Sequence, residues 1–372
     1  MMKQPPTKYG HTVGAFERIG GLRGRTVRNT DQDTYSEPIN ARGGSTYSKL
    51  HLAHSNEDCA MGADVLRQST IALPVKMNGI GLHKGTTVHL VLKPAKANTG
   101  IVFRRTDLDT IDRAVTDIPA RYDAVTDATM CTTIGNAAGT QVATIEHLMA
   151  AVSALEIDNL LIEVDAEEVP VMDGSSDAFI ALLDQVGQQT LDAPRRFIRV
   201  LEPISVEDGL RTGTLNPCED GLRIELSIDF DNQVIGKQDL ALDISADSFR
   251  RELSSSRTFG FLKDVETLRA LGLAKGATLD NAVVLDGDEV LNEDGLRSPD
   301  EFVRHKTLDA VGDLSLAGAP ILGCYQASRA GHAFNNQVLH ALFANPDAWE
   351  YTTRPTPAGT PVENTRLAVS AD

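Results

Sequence analysis

The chain has 372 residues, with 35 Lys and Arg against 52 Asp and Glu, a formal charge of −17. That length can bury sizeable cores without disulfide staples, and the acidity argues against a nucleic-acid binder, which depends on a basic face. Four widely spaced cysteines without a C-x-x-C pair suggest neither a disulfide framework nor a thiolate zinc finger, and a reducing cytoplasm is the simplest expected compartment.

Residues 1–60 carry eight basic and six acidic residues, leaving 27 against 46, or −19, on residues 61–372. Their Gly-, Ser-, Thr- and Asn-rich text lacks a sustained hydrophobic period, so residues 1–65 are expected to be a disordered extension. Met61 opens the compositionally ordinary part and is a candidate true start. Strand-like text follows at Thr87–Leu92 and Ile101–Arg104, then a helical stretch at Thr144–Leu155, an apolar strand at Asn159–Val164 and a second helix at Ser175–Val186. The same order returns after Asp192-Ala193-Pro194: strands at Phe197–Val200 and Leu222–Ile228, helix Pro299–Ala317, strand Ile321–Ala327 and helix His332–Phe343. The expectation is an α+β fold of two similar domains, 66–192 and 195–345, each a sheet with a pair of helices. Residues 346–372, rich in Pro and Thr, read as a C-terminal tail. No run of about 18 apolar residues occurs, nor an N-terminal basic patch followed by an apolar stretch, so neither a membrane span nor a secretion signal is expected.

Ser298-Pro299-Asp300-Glu301 predicts a capping box, with Ser298 at the N-cap, and Gly318 marks the helix end. Within that helix Val303, Thr307, Ala310, Val311 and Leu314 share one face, whereas His305, Lys306, Asp309 and Asp313 share another. His305 and Asp309, four apart, can point at one ion, but the same spacing also suits a solvated ion pair. Glu146-His147 offers a third ligand and a neighbouring base, or two polar residues on an exposed helix face. His332 stands at a helix N-terminus after a strand, where a carboxylate such as Asp313 would favour imidazolium; capping or packing are its other roles.

The chain resembles the UDP-3-O-acyl-N-acetylglucosamine deacetylases, zinc amidases of lipid A biosynthesis, from Leu66 to Phe343. Seven ordered segments carry the likeness: Gly79 to His83, Thr144 to Leu148, Ile157 to Asn159, Met172 to Ser175, Arg257 to Phe261, Arg304 to Leu314 and Gly331 to Asn336. The resemblance implies helix pairs packed together across a central cleft. By the same likeness His147, His305 and Asp309 bind one Zn²⁺, with Fe²⁺ as the alternative ion. Glu146 takes the proton of the attacking water, Thr258 stabilises the oxyanion, and His332, held by Asp313, protonates the departing amine. Lys306, Arg329, Phe230 and Phe259 contact the UDP-sugar, Phe230 having a place in the core as its other reading. Arg329 stands where the family has lysine, which keeps the charge and changes its geometry. An insert at about 260–286 lines a channel for the acyl chain, and Cys131 falls in a loop near the metal, where a second ion or an inert buried thiol are the alternatives. The expected partner is therefore a nucleotide-sugar lipid substrate, with no nucleic acid, no membrane span, peripheral membrane contact left open, and a monomeric enzyme. The competing readings are a zinc amidohydrolase for another acylated amino sugar and a silent nucleotide-lipid binder.

Overall fold

The computed structural model describes residues 65–356, so most of the expected N-terminal extension, Met61 included, and the end of the tail lie outside the described residues. The chain begins with strands β1 (Arg67–Ile71), β2 (Val75–Ile80), β3 (Thr87–Pro94) and β4 (Ile101–Arg105), a one-turn helix α1 (Arg113–Thr116) and β5 (Asp117–Pro119). Three short strands, β6 (Val125–Asp127), β7 (Thr133–Gly135) and β8 (Gln141–Val142), pair with one another and deliver the chain to helix α2 (Glu146–Ala154). Strand β9 (Leu160–Val164), helix α3 (Asp177–Val186) and β10 (Gln188–Pro194) follow. The first large sheet has the order β2-β3-β9-β4-β5. Alternation builds it: Val88, Leu90 and Leu92 of β3 are wholly buried while their neighbours face outward.

The second set runs β11 (Arg196–Val200), β12 (Ile204–Asp208), β13 (Arg211–Pro217), β14 (Leu222–Asp229), β15 (Lys237–Ile244) and helix α4 (Ala246–Glu252). An excursion of β16 (Phe259–Phe261), α5 (Leu262–Ala270), β17 (Val283–Asp286) and β18 (Glu289–Val290) precedes helix α6 (Glu301–Ser315), β19 (Ile321–Ser328), helix α7 (His332–Ala344) and β20 (Trp349–Thr353). Strands β11 to β15 with β19 and β20 make a seven-stranded sheet in which β19 is central, antiparallel to β13 and parallel to β11 and β14. The α+β class is as expected: α2 packs on α3 and α6 on α7, and the two pairs meet where α2 crosses α6.

Asp192-Ala193-Pro194, after which the second order of elements begins, ends β10, which pairs antiparallel with β1. Two local expectations change. Residues 349–353, expected in the tail, form β20, because their backbone finds an open edge on β11 and the Trp349 ring packs edge-on against Phe343 at 5.0 Å. Helix α6 starts at Glu301 rather than in a Ser298 capping box; its N-cap is Asp300, without a side-chain cap. The Glu301 carboxylate is engaged elsewhere, as described below. Among the described residues no helix is long and apolar enough to cross a membrane.

Candidate metal centre

Helices α2, α6 and α7 bring the ionisable residues together. Thr144 enters α2 with φ +57°, a conformation a β-branched residue adopts at a cost of about 1–3 kcal/mol. It turns the chain from β8 so that Glu146 and His147 occupy the first helical turn. The crossing of α2 and α6 is unusually close: a Cβ built on Gly312 would lie 2.2 Å from the Glu146 carbonyl oxygen. Only glycine lets the two backbones meet there.

Both stripes of α6 are buried, except that Lys306 in the polar one is half-buried. Val303, Thr307, Ala310, Val311 and Leu314 are at most 1 % exposed, and His305, Asp309 and Asp313 at most 3 %. His305 Nε2 lies 3.4 Å and His147 Nε2 3.6 Å from Asp309 Oδ1, and the three potential ligand atoms fall within 4.8 Å of one another. Donor atoms at roughly 2.0–2.2 Å from one tetrahedral ion are about 3.3–3.6 Å apart, which the two contacts to Asp309 Oδ1 match. Asp309 Oδ1 is buried with no hydrogen-bond partner, whereas Oδ2 accepts from Lys306 Nζ at 2.7 Å. A buried carboxylate oxygen without a donor is costly, and two imidazole nitrogens converge on it. His305 Nδ1 is 3.0 Å from the Ser256 carbonyl oxygen, so Nδ1–H donates and the Nε2 lone pair faces Asp309.

The protonation states suit a cation. Burial pushes the His305 imidazole down to about 4, against the pull of Asp309. Burial would raise Asp309, but His305, Lys306 and His332 outweigh it and hold the carboxyl well below the usual range. Burial would likewise lower Lys306, yet the Asp309 carboxylate holds its ammonium above the ordinary value. A neutral imidazole and an ionised carboxylate are what metal binding requires. The residues therefore fit a divalent ion of the N,N,O-binding kind.

Two further ionisable groups flank the three. Burial raises the Glu146 carboxyl, with the neighbouring His332 and His147 opposing; its Oε2 accepts the Thr132 backbone N–H at 3.0 Å. His332 Nδ1 is 2.9 Å from Asp313 Oδ2, which also accepts from Asn335 Nδ2 at 2.8 Å. The other Asp313 oxygen accepts the Thr132 hydroxyl at 2.6 Å. Burial works against the imidazolium of His332, but Asp313 and Asp309 prevail and push it up to about 9. A raised carboxyl and a raised imidazole side by side are the pairing that general acid–base chemistry uses.

Glu146, His147, Thr258, Phe259, Phe230, His305, Lys306, Asp309 and His332 all border one cavity of about 210 Å³. Asp313 stands behind His332. Arg329 is not part of this lining; it sits after β19 with φ +57° and pairs with Asp229 at the end of β14. Phe230 packs edge-on against Phe259 at 5.7 Å. Thr258 is placed by its N–H to the Gly174 carbonyl at 2.8 Å, and Gly174, at φ +82°, must be glycine because a Cβ would fall 2.0 Å from Asn281 O. Cys131 borders the cavity, and burial with the nearby Glu146 charge pushes its thiol up to about 12; it is a neutral thiol. The sequence reading missed Thr132, Thr144, Leu82 and Met130. Leu82 and Thr144 lie within the segments Gly79 to His83 and Thr144 to Leu148, and Thr132 acts partly through its backbone, which no side-chain pattern signals.

The family model for UDP-3-O-acyl N-acetylglycosamine deacetylase matches residues 68–344. A protein of Idiomarina loihiensis named UDP-3-O-acyl-N-acetylglucosamine deacetylase is 49% identical over 291 residues, 78% of this chain and 94% of its own. One of the same name from Colwellia psychrerythraea is 46% identical over 309 residues, 82% of this chain and 100% of its own. A third, from Vibrio parahaemolyticus, is 45% identical over 300 residues, covering 80% and 97%.

Proposed function

This chain belongs to the UDP-3-O-acyl N-acetylglycosamine deacetylase family, and from that premise we propose that it hydrolyses the N-acetyl group of UDP-3-O-acyl-N-acetylglucosamine. The products are UDP-3-O-acyl-glucosamine and acetate, the committed step of lipid A biosynthesis. The observation that carries this reading is the unpartnered Asp309 oxygen facing two histidines, with a raised carboxyl and a raised imidazole on the same cavity.

A Zn²⁺ ion held by His147, His305 and Asp309, or Fe²⁺ on the same donors, would supply a Lewis acid and lower the pKa of water. Glu146 accepts a proton from the attacking water as its oxygen bonds to the acetyl carbon. Thr258 donates a hydrogen bond from its hydroxyl to the oxyanion so formed. His332 then gives its Nε2 proton to the sugar nitrogen as the C–N bond breaks, and Asp313 holds the ring by Nδ1 throughout. Lys306 and Arg329 meet the anionic diphosphate, while Phe230 and Phe259 offer ring faces to the nucleotide part. The exposed α5 and the segment after it, with Leu271 70% and Leu279 46% exposed, would receive the 3-O-acyl chain. In this reading residues 66–192 supply Glu146 and His147, residues 195–345 supply the rest, and the enzyme works as a cytoplasmic monomer.

Purified protein should deacetylate UDP-3-O-acyl-N-acetylglucosamine, lose activity to a chelator and regain it with added Zn²⁺. Activity that survives complete metal removal would overturn the reading. Equal activity on the substrate without its 3-O-acyl group would instead favour a less specific amino-sugar deacetylase.

A further inference from the structure

We propose that Glu301 and Arg257 are positioning residues for the centre: their buried ion pair fixes the segment 256–258, and through it the ring of His305 and the hydroxyl of Thr258. The inference rests on the ligand and Thr258 roles proposed above.

Glu301 is the first residue of α6 and is fully buried. Its Oε1 accepts the Arg257 backbone N–H and the Arg257 Nε–H, each at 2.9 Å. Its Oε2 accepts Arg257 Nη2 at 3.1 Å and the Arg297 backbone N–H at 2.7 Å. Arg257 is 7 % exposed and spends another Nη2 hydrogen on the Gly295 carbonyl at 2.8 Å. One carboxylate therefore ties two loops to the start of the helix. Such a pair is a poor device for stability alone, because desolvating both charges offsets most of their attraction.

Its neighbours give it a different use. The residue before Arg257 is Ser256, whose carbonyl accepts His305 Nδ1–H; the residue after it is Thr258, which borders the cavity. Glu301 and His305 are four apart on one helix, so they lie on the same face a turn apart. Glu301 grips the backbone at 257 and His305 meets the carbonyl of 256, closing a ring of hydrogen bonds through a single turn of α6. The ring orientation of His305 and the choice of nitrogen left free depend on where Ser256 O stands. With the carboxylate changed to an amide, one NH₂ faces N–H donors, and the segment must shift to relieve the clash.

Co²⁺ serves as the probe, since its visible absorption reports the arrangement of its ligands. In Glu301→Gln the Co²⁺ dissociation constant, measured by chelator competition, should rise roughly 10–100-fold, the range for lost outer partners of a ligand, and the visible band should change in intensity. With metal saturating, kcat should fall while KM stays near the wild-type value. Arg257→Lys keeps the charge and the backbone contact but loses the fork, so it should show the same changes at smaller amplitude; it decides the matter if Glu301→Gln does not fold. Asp184→Asn, which breaks the Arg250–Asp184 pair at the surface, should leave affinity and spectrum unchanged. Wild-type Co²⁺ affinity and spectrum in a folded Glu301→Gln, or in Arg257→Lys if the former does not fold, would overturn the proposal, whatever happens to kcat. A wild-type protein that binds Co²⁺ yet deacetylates nothing would sink the functional reading alone, because the metal measurements need no substrate.

Discussion

Asp309 divides its two oxygens between tasks, one neutralised by Lys306 and the other left bare between His147 and His305. Glu146 and His332 stand beside this pair without belonging to it, so their removal should separate chemistry from metal binding. Glu146→Ala and His332→Ala should each slow deacetylation by orders of magnitude while elemental analysis still finds the metal bound; a Glu146→Ala protein that loses its metal or keeps full activity contradicts the base assignment. Wild-type activity should be bell-shaped in pH, rising as Glu146 gives up its proton and falling on the alkaline side as His332 gives up its own. The His332→Gln variant should lose the alkaline fall. At this scale the sequence showed the ionisable side chains, because spacing along a helix identifies which of them share a face. It did not show Thr132 or Ser256, whose contributions run through a backbone N–H and a backbone carbonyl.

Helix α6 shows what periodicity can and cannot say. Its two stripes were legible residue by residue, yet the polar one resembled a solvent face as much as a ligand face, and only packing against α2 and α7 makes it interior. The start of the helix was misplaced for a related reason: Glu301 fits a capping box in sequence, but in space its carboxylate serves Arg257 and Arg297. Gly312, in the last third of α6, is locally unfavourable, since alanine there would favour an isolated helix by about 1 kcal/mol. Packing reverses the sign. Gly312→Ala should destabilise the protein by about 1–3 kcal/mol, as overpacking does, because its methyl group would meet backbone rather than a movable side chain. Urea midpoints measure this, and a variant as stable as wild type would show that the helices can part.

The α+β class was readable from the repeated order of elements, whereas β20 and the β1–β10 ribbon were not, because a strand with a partner far along the chain carries no local mark. The net charge of −17 likewise says nothing about one cleft, where Lys306 and His332 are held cationic. Acid stability of the whole molecule should depend on Glu301. Burial alone would raise its carboxyl, but the Arg257 guanidinium and two backbone N–H groups hold it below its ordinary value. Its stabilising contribution is thus complete above the ordinary carboxyl range, near pH 4.3, and is lost as pH falls through the lower folded value. Denaturant midpoints of wild type and Glu301→Gln should therefore be furthest apart near neutrality and draw together in acid; a gap that stays constant with pH would count against an ionised Glu301. The bare contact between Gly312 and Glu146 has a consequence for heredity. His147 follows the contact by one residue on one helix and Asp309 precedes it by three on the other, so the donor separation is gauged by two main chains rather than by side-chain volumes. Repacking of the surrounding apolar residues is then expected to alter how firmly the helices are clamped before it alters that separation, which a side chain at position 312 would change directly.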